Sequence, residues 1–313
     1  MAMVLKNNAA SEVNAKLYLN DELADVRFVF SVNGVDQKVP ANKAFLAALS
    51  PVFFSMFYGT LKEGNEVKIA DASAEGFKDF LQFFYLSDVT LKMENIETVV
   101  RLADKYDVLG YVDACAMFLK SQLSANNLCW GYQLALFLKN KSLIEFCEKE
   151  IIEASEQILS TDMFQRCNED TLKRILELDL TCCEVKVFEA SLKWAKNACR
   201  QKGLNENQAD NLKIQLGDCL KFIRFVGMKM EEFTTLAAAH KGLFTPEEFE
   251  DIIFTLSVKG YQPKIFNQAP RLRMNTADNW NANKQILQSK LRTQPKFGEF
   301  ISKGQRKGFG FQS

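Results

Sequence analysis

Apolar residues alternate through ADVRFVF (24–30), with Val26, Phe28 and Phe30 on one face, and this period of two predicts a half-buried strand. Asn33-Gly34 then predicts a tight hairpin, with VDQKVP (35–40) returning beside the first strand. Over NKAFLAAL (42–49) the pattern becomes helical, and Ser50-Pro51 reads as the N-cap and first position of a second helix. EVKIA (66–70) predicts a third strand. AEGFKDFLQFFYLSD (74–88) sets Phe77, Phe80, Leu81 and Phe84 at helical spacing, and residues 95–123 predict two helices broken at Leu109-Gly110. A small sheet with helices packed on it is an α+β arrangement.

From Ser124 to about Lys259 no strand pattern recurs. Trp130, Leu134, Phe137 and Leu138 form one helical stripe, Leu143, Phe146, Cys147 and Ile151 a second, and Phe188, Leu192, Ala195 and Cys199 a third. TPEEF (245–249) has Thr245 as N-cap, Pro246 at the first helical position and Glu248 placed to close a capping box. NACRQKGLNENQADN (197–211) is the longest polar interruption and predicts a surface loop. This second part is expected to be all-helical. The chain from 260 to 313 lacks a sustained period and is expected to be a disordered tail.

Composition sharpens this division. At 47% apolar and 12% aromatic residues, the 313-residue chain has material for two real cores. Its 39 basic and 39 acidic residues cancel overall, but ten basic and two acidic residues fall after Tyr261. The tail is therefore +8 and residues 1–261 are −8. Basic residues interleaved with Phe297, Phe300, Phe309 and Phe311 raise nucleic-acid contact as a rival use of the tail. No folded nucleic-acid module accompanies it.

Little in the sequence points to catalysis. His240 is the lone histidine, which removes most Ser-His and Cys-His constellations and any zinc site needing two histidines. At the end of AAAHKG it is expected to be an exposed helix terminus. No phosphate-binding glycine motif occurs. The eight cysteines form no CxxC pair and are read as free thiols in a reducing compartment. Cys183, beside Cys182, is expected to pack near Val187. The acidic pairs Glu169-Asp170 and Glu247-Glu248 fall in first helical turns, where they favour the helix dipole. MAMVLKNNAASEV has no apolar leader core, and no apolar run is long enough to span a bilayer. The expectation is a non-enzyme without a cofactor or metal, in the cytoplasm and also the nucleus.

One stretch asks for a further explanation. In SPVFFSMFYGTLKEG (50–64), four rings crowd residues 53–58 and an apolar-x-acid turn follows. With YLNDELADVRFVF before it and EVKIADASAEGFKDFLQFFYLSDVTL and VVRLADKYDVLGYVDACAMFLKSQL after it, the stretch resembles a BTB/POZ domain over residues 18–123. NNLCWGYQLALFLKNKSLIEFCEKEI, KRILELDL and LKFIRFVGM resemble the BACK domain, here 124–259, leaving 260–313 as the tail. Within this family the chain is most similar to BTB-BACK proteins that continue into a PHR β-sandwich and act as cullin-3 ubiquitin-ligase adaptors. A PHR domain would add about 150 β-rich residues after Tyr261; the sequence there is instead basic and without strand pattern.

The resemblance implies a homodimer, with SEVNAKLYL (11–19) as an amphipathic interface arm. It also implies that Asp25 and Lys43 pair in a pocket near that interface. Asn42 stands where many members have His. A rival reading is that Asp25 and Lys43 only tie strand to helix within one subunit. Leu61-Lys62-Glu63 matches the family's cullin-binding turn, which implies that Phe57, Tyr58, Leu61 and Glu63 face cullin-3, while Phe53 to Met56 are expected to be core. The implied function is a dimeric adaptor linking cullin-3 to an unidentified substrate protein. The alternative is a transcriptional or structural scaffold without cullin.

Overall fold

The computed structural model describes residues 9–32, 34–60, 62–266 and 271. Asn33, Leu61 and residues 272–313 lie outside them, and with them the tip of the hairpin, one residue of the turn expected to face cullin-3 and most of the basic tail. The N-terminal half follows the expected order. Helix α1 (Ala9–Leu17) precedes strands β1 (Val26–Val32) and β2 (Val35–Ala41), helices α2 (Lys43–Leu49) and α3 (Pro51–Tyr58), and β3 (Glu66–Lys68). Helices α4 (Ala74–Tyr85), α5 (Ile96–Lys105) and α6 (Leu109–Gln122) complete it.

The sheet order is β2-β1-β3. β1 pairs antiparallel with β2, the register ending at Val32 opposite Val35, and parallel with β3, with Phe28 opposite Val67. As the central strand, β1 buries Val29 as well as Val26, Phe28 and Phe30, so its alternation understates its burial. Phe77 of α4 lies 4.5 Å from the Phe28 ring, and Phe53 of α3 stacks on Tyr106 at 4.0 Å. These tilted and stacked rings fill the space between sheet and helices. Gly76 permits the closest approach of α4 to α5: a Cβ there would meet the Thr98 side chain at 2.5 Å.

The break before α6 falls earlier than expected. Leu109 and Gly110 are already inside the helix, and the chain turns at Asp107 (φ 54°), with Val108 donating to the Ala103 carbonyl at 2.8 Å. Asp tolerates the left-handed region better than most residues, so the turn needs no glycine.

The second half is a stack of helices: α7 (Leu128–Phe137), α8 (Lys141–Glu153), α9 (Ser155–Leu159), α10 (Asp162–Arg166) and α11 (Glu169–Glu177). It continues with α12 (Glu184–Gln201), α13 (Ala209–Leu216), α14 (Met230–Ala239) and α15 (Pro246–Ser257). The stripe Phe188, Leu192, Ala195 and Cys199 is buried throughout. The capping box at α15 forms: Glu248 donates its N–H to Thr245 Oγ1, and Thr245 donates its own to Glu248 Oε2. The stripe expected on α7 does not hold together. Phe137 is 55% exposed, with the Arg101 guanidinium over its ring at 4.1 Å. Trp130 instead turns to α5, donating Nε1–H to Glu97 Oε2 at 2.9 Å and joining the two halves.

The end of the helical part also differs from the boundary at 259. Asp251 on α15 accepts hydrogen bonds from the Tyr261 hydroxyl (2.8 Å) and from the N–H groups of Lys264 and Ile265 (both 3.0 Å). Phe266 is buried against Phe225 at 4.9 Å. Residues 261–266 thus belong to the helical part as a strap.

Candidate functional site

The face of interest is built on α3. Ser50 Oγ accepts the Phe53 N–H at 3.0 Å and donates to the buried Tyr106 carbonyl at 2.5 Å, fixing both the start of α3 and its rotation. Pro51 has no N–H to leave unpaired at the first position. That rotation sorts the four rings by a spacing of four. Phe53 and Phe57 turn inward and stack on each other at 5.8 Å. Phe54 and Tyr58 turn outward, 56% and 46% exposed, with rings 5.8 Å apart. Leu49 at the end of α2 and Val52 on α3 are also exposed.

Two expectations are corrected here. Phe57 is 4% exposed and part of the core, so it offers no wall to a partner. Phe54, expected in the core with Met56, is instead 56% exposed. Both pairs are apolar at i, i+4 spacing, so periodicity marks two stripes without saying which faces in. The Ser50–Tyr106 bond decides it, and a contact across 56 residues leaves no local signal.

Beyond Tyr58 the chain doubles back. A Cβ at Gly59 would run into the Ser55 carbonyl oxygen that closes the helix, which restricts this position to glycine. Glu63 donates its backbone N–H to the Met56 carbonyl at 2.9 Å, pinning the turn against the end of α3. The pinning bond uses the Glu63 backbone, and its side chain is exposed. Leu61 lies outside the described residues.

Asp25 and Lys43 come together, but not as an ion pair of side chains. The Asp25 carboxylate accepts the Lys43 backbone N–H at 2.7 Å, at the first turn of α2, where a negative charge is favourable. The Lys43 ammonium turns away to Asn65 Oδ1 at 2.8 Å and lies 5.5 Å above the Phe57 ring. Lys43 therefore links the start of α2 to the turn after α3, joining two sites that the sequence kept apart. Asn42 donates Nδ2–H to the Leu23 carbonyl at 2.6 Å, and its own N–H goes to the Tyr85 hydroxyl at 2.8 Å. On α1, Val13 is exposed, while Tyr18 just beyond the helix donates its hydroxyl to the Lys78 carbonyl of α4 at 2.9 Å.

Elsewhere the chemistry is quiet. All eight cysteines are free, and seven are buried. Burial pushes the thiols of Cys115, Cys129, Cys147 and Cys219 up to about 12, far from the range of a reactive thiolate. Cys183 does not pack inward as expected; it is exposed at the N-cap of α12, and Cys182 takes the buried place. His240 is half-buried against Phe188, and burial, with Lys196 nearby, holds its pKa below the usual value. A cleft of about 550 Å³ at the junction of the halves is lined by Asp71, Glu97, Arg101 and Lys105, whose charges pair among themselves. Among the described residues no cluster of His, Cys, Asp and Glu could hold a metal ion, and no helix is long and apolar enough to cross a membrane.

Comparison with known proteins matches residues 15–123 to the family model for the BTB/POZ domain and residues 129–237 to that for BACK (BTB And C-terminal Kelch). BTB/POZ domain-containing protein 6-B of Danio rerio is 34% identical over 256 residues, 81% of this chain and 52% of that protein. BTB/POZ domain-containing protein 3 of Homo sapiens is 33% identical over 243 residues, 77% and 46% respectively. The chain spans about half the length of the curated relatives it matches. Among solved structures, the BTB domain of zebrafish PATZ1 aligns over 39% of this chain and all of its own, at 22% identity and a TM-score of 0.33.

Proposed function

The chain belongs to the BTB/POZ–BACK family, and from that premise we propose that it is a dimeric, non-enzymatic adaptor linking a cullin-3 ubiquitin ligase to substrate proteins in the cytoplasm and nucleus. The observation that carries this reading is the outward pair Phe54 and Tyr58, next to a turn pinned by Glu63. Clustered aromatic side chains are the usual anchors of an interface, and exposing them in a free monomer has no structural benefit. Leu61 and Glu63 follow those anchors in the sequence. Asp25 and Lys43 serve this face by holding α2 and the turn together, and they border the dimer contact. A dimer carries two ligase arms, which raises the effective concentration at a bivalent target.

The test is binding of a cullin-3 N-terminal fragment to the purified chain, together with its mass in solution. The proposal requires a dimer at micromolar concentration and saturable binding of one fragment per protomer. A monomer that ignores the fragment would leave the family scaffold without its ligase role. Nucleic-acid contact through residues 272–313 is the competing use of the chain. It predicts binding that falls steeply with salt and disappears when those residues are removed.

A further inference from the structure

The C-terminal end of α11 presents the carbonyls of Leu176, Glu177 and Leu178 at the negative end of a helix dipole. Two guanidinium groups meet them. Arg224 donates to the Glu177 carbonyl at 3.1 Å and to Asp179 at 2.6 Å. Arg271 donates to the Leu176 carbonyl at 3.0 Å and also to the Leu178 carbonyl. Facing Arg271 is Glu184, the first residue of α12. Its Oε2 accepts Arg271 Nε–H at 2.8 Å, and its Oε1 accepts Nη2–H at 3.2 Å and the Arg224 backbone N–H at 2.7 Å. The Glu184 and Arg271 side chains are each 3% exposed.

This is the two-pronged geometry that a planar guanidinium fits and an ammonium does not. The carboxylate takes one edge of the fork, and backbone carbonyls take the other. Two anions, Glu184 and Asp179, balance two cations, Arg224 and Arg271. Emptying the Arg271 position would leave a buried carboxylate and helix-end carbonyls short of donors, which is strongly unfavourable. Arg271 lies 87 residues from Glu184 in sequence, so the bond closes a long-range loop.

We propose that Glu184 with the Leu176 and Leu178 carbonyls forms an alkylguanidinium-binding site in the helical domain, occupied in cis by Arg271. The strap that begins at Tyr261 is thereby fastened twice, at Asp251 and at Glu184. Residues 261–266 and Arg271 accordingly pack with the helical domain, although they carry no helical period.

The test uses the full chain carrying Arg271→Ala and reads amide hydrogen exchange at Lys264 and Ile265, whose N–H groups bond Asp251. The site predicts at least tenfold faster exchange there and an unfolding midpoint lower by about 5–10 °C. Ethylguanidinium at millimolar concentration should restore protection, and ethylammonium at equal ionic strength should not. Exchange and midpoint matching the wild type would overturn the proposal. So would rescue by both cations alike, or by neither. Should Arg271→Ala not fold, Arg271→Lys carries the decision: the charge is kept and the fork is lost. Wild-type exchange in that variant overturns the site, and accelerated exchange upholds it.

Discussion

The outer face of α3 and the strap site on α12 break the usual sorting of residues in opposite directions. On α3, Phe54 and Tyr58 put rings in water. At the strap, Glu184 and Arg271 put charges in the interior. The strap charges have every partner they need within the chain, so their placement is a matter of stability. The exposed rings have no covering element among the described residues, which supports the proposed use of this face for a partner. A misplaced residue whose needs are met internally is architecture, and one whose needs are unmet points outward.

Substitutions should separate these cases in a definite order. Phe53 and Phe54 are neighbours with opposite roles. Phe53→Ala should lower unfolding free energy by about 3–5 kcal/mol, because it empties a fully buried ring site against Phe28 and Tyr106. Glu184→Met, leaving Arg271 buried without its carboxylate, should cost a similar ~3–5 kcal/mol. Both are read by denaturant unfolding. A neutral result at Glu184 would move the strap from architecture to decoration.

Asp251→Asn tests the other fastening and should cost about 1–3 kcal/mol, since the amide can accept fewer of the strap's hydrogen bonds. It also carries a pH signature. Burial opposes ionisation of Asp251, yet the Lys264 and Ile265 N–H groups and the Tyr261 hydroxyl outweigh it and hold the carboxyl below its usual value. The folded form therefore binds the proton less readily than the unfolded chain. That contribution is complete above the ordinary aspartate pKa of about 3.9 and is lost as pH falls through the lower, folded value. Acid unfolding of the wild type should show this loss, and the Asn variant should lack it. Smallest of all, Phe54→Glu should change stability by no more than about 0.5 kcal/mol, being a solvent-facing helix position.

The fold was legible where neighbouring residues carry the signal. The alternation of β1, the Ser50-Pro51 and Thr245/Glu248 helix starts and the buried stripe of α12 are all local patterns. On α3, the sequence marks two aromatic stripes but not which one is exposed. Which ring of PVFFSMFY turns outward depends on a bond from Ser50 to a carbonyl 56 residues away. The turn of Lys43 from Asp25 to Asn65 is likewise a tertiary choice. Arg271 was invisible for the same reason: in a basic, aperiodic stretch, nothing marks the one arginine that finds a buried carboxylate. Phe137 went the other way, apolar by pattern yet exposed, with the Arg101 guanidinium of α5 over one face of its ring.

The most direct measurement is a calorimetric titration of a cullin-3 N-terminal fragment into four folded proteins: wild type, Phe54→Glu, Leu61→Asp with Glu63→Ala, and Asp251→Asn. Wild type and Asp251→Asn should bind with the same affinity, and the two variants of the α3 face about tenfold or more weakly. Equal affinity in all four, or no binding to wild type, would contradict the proposed adaptor role.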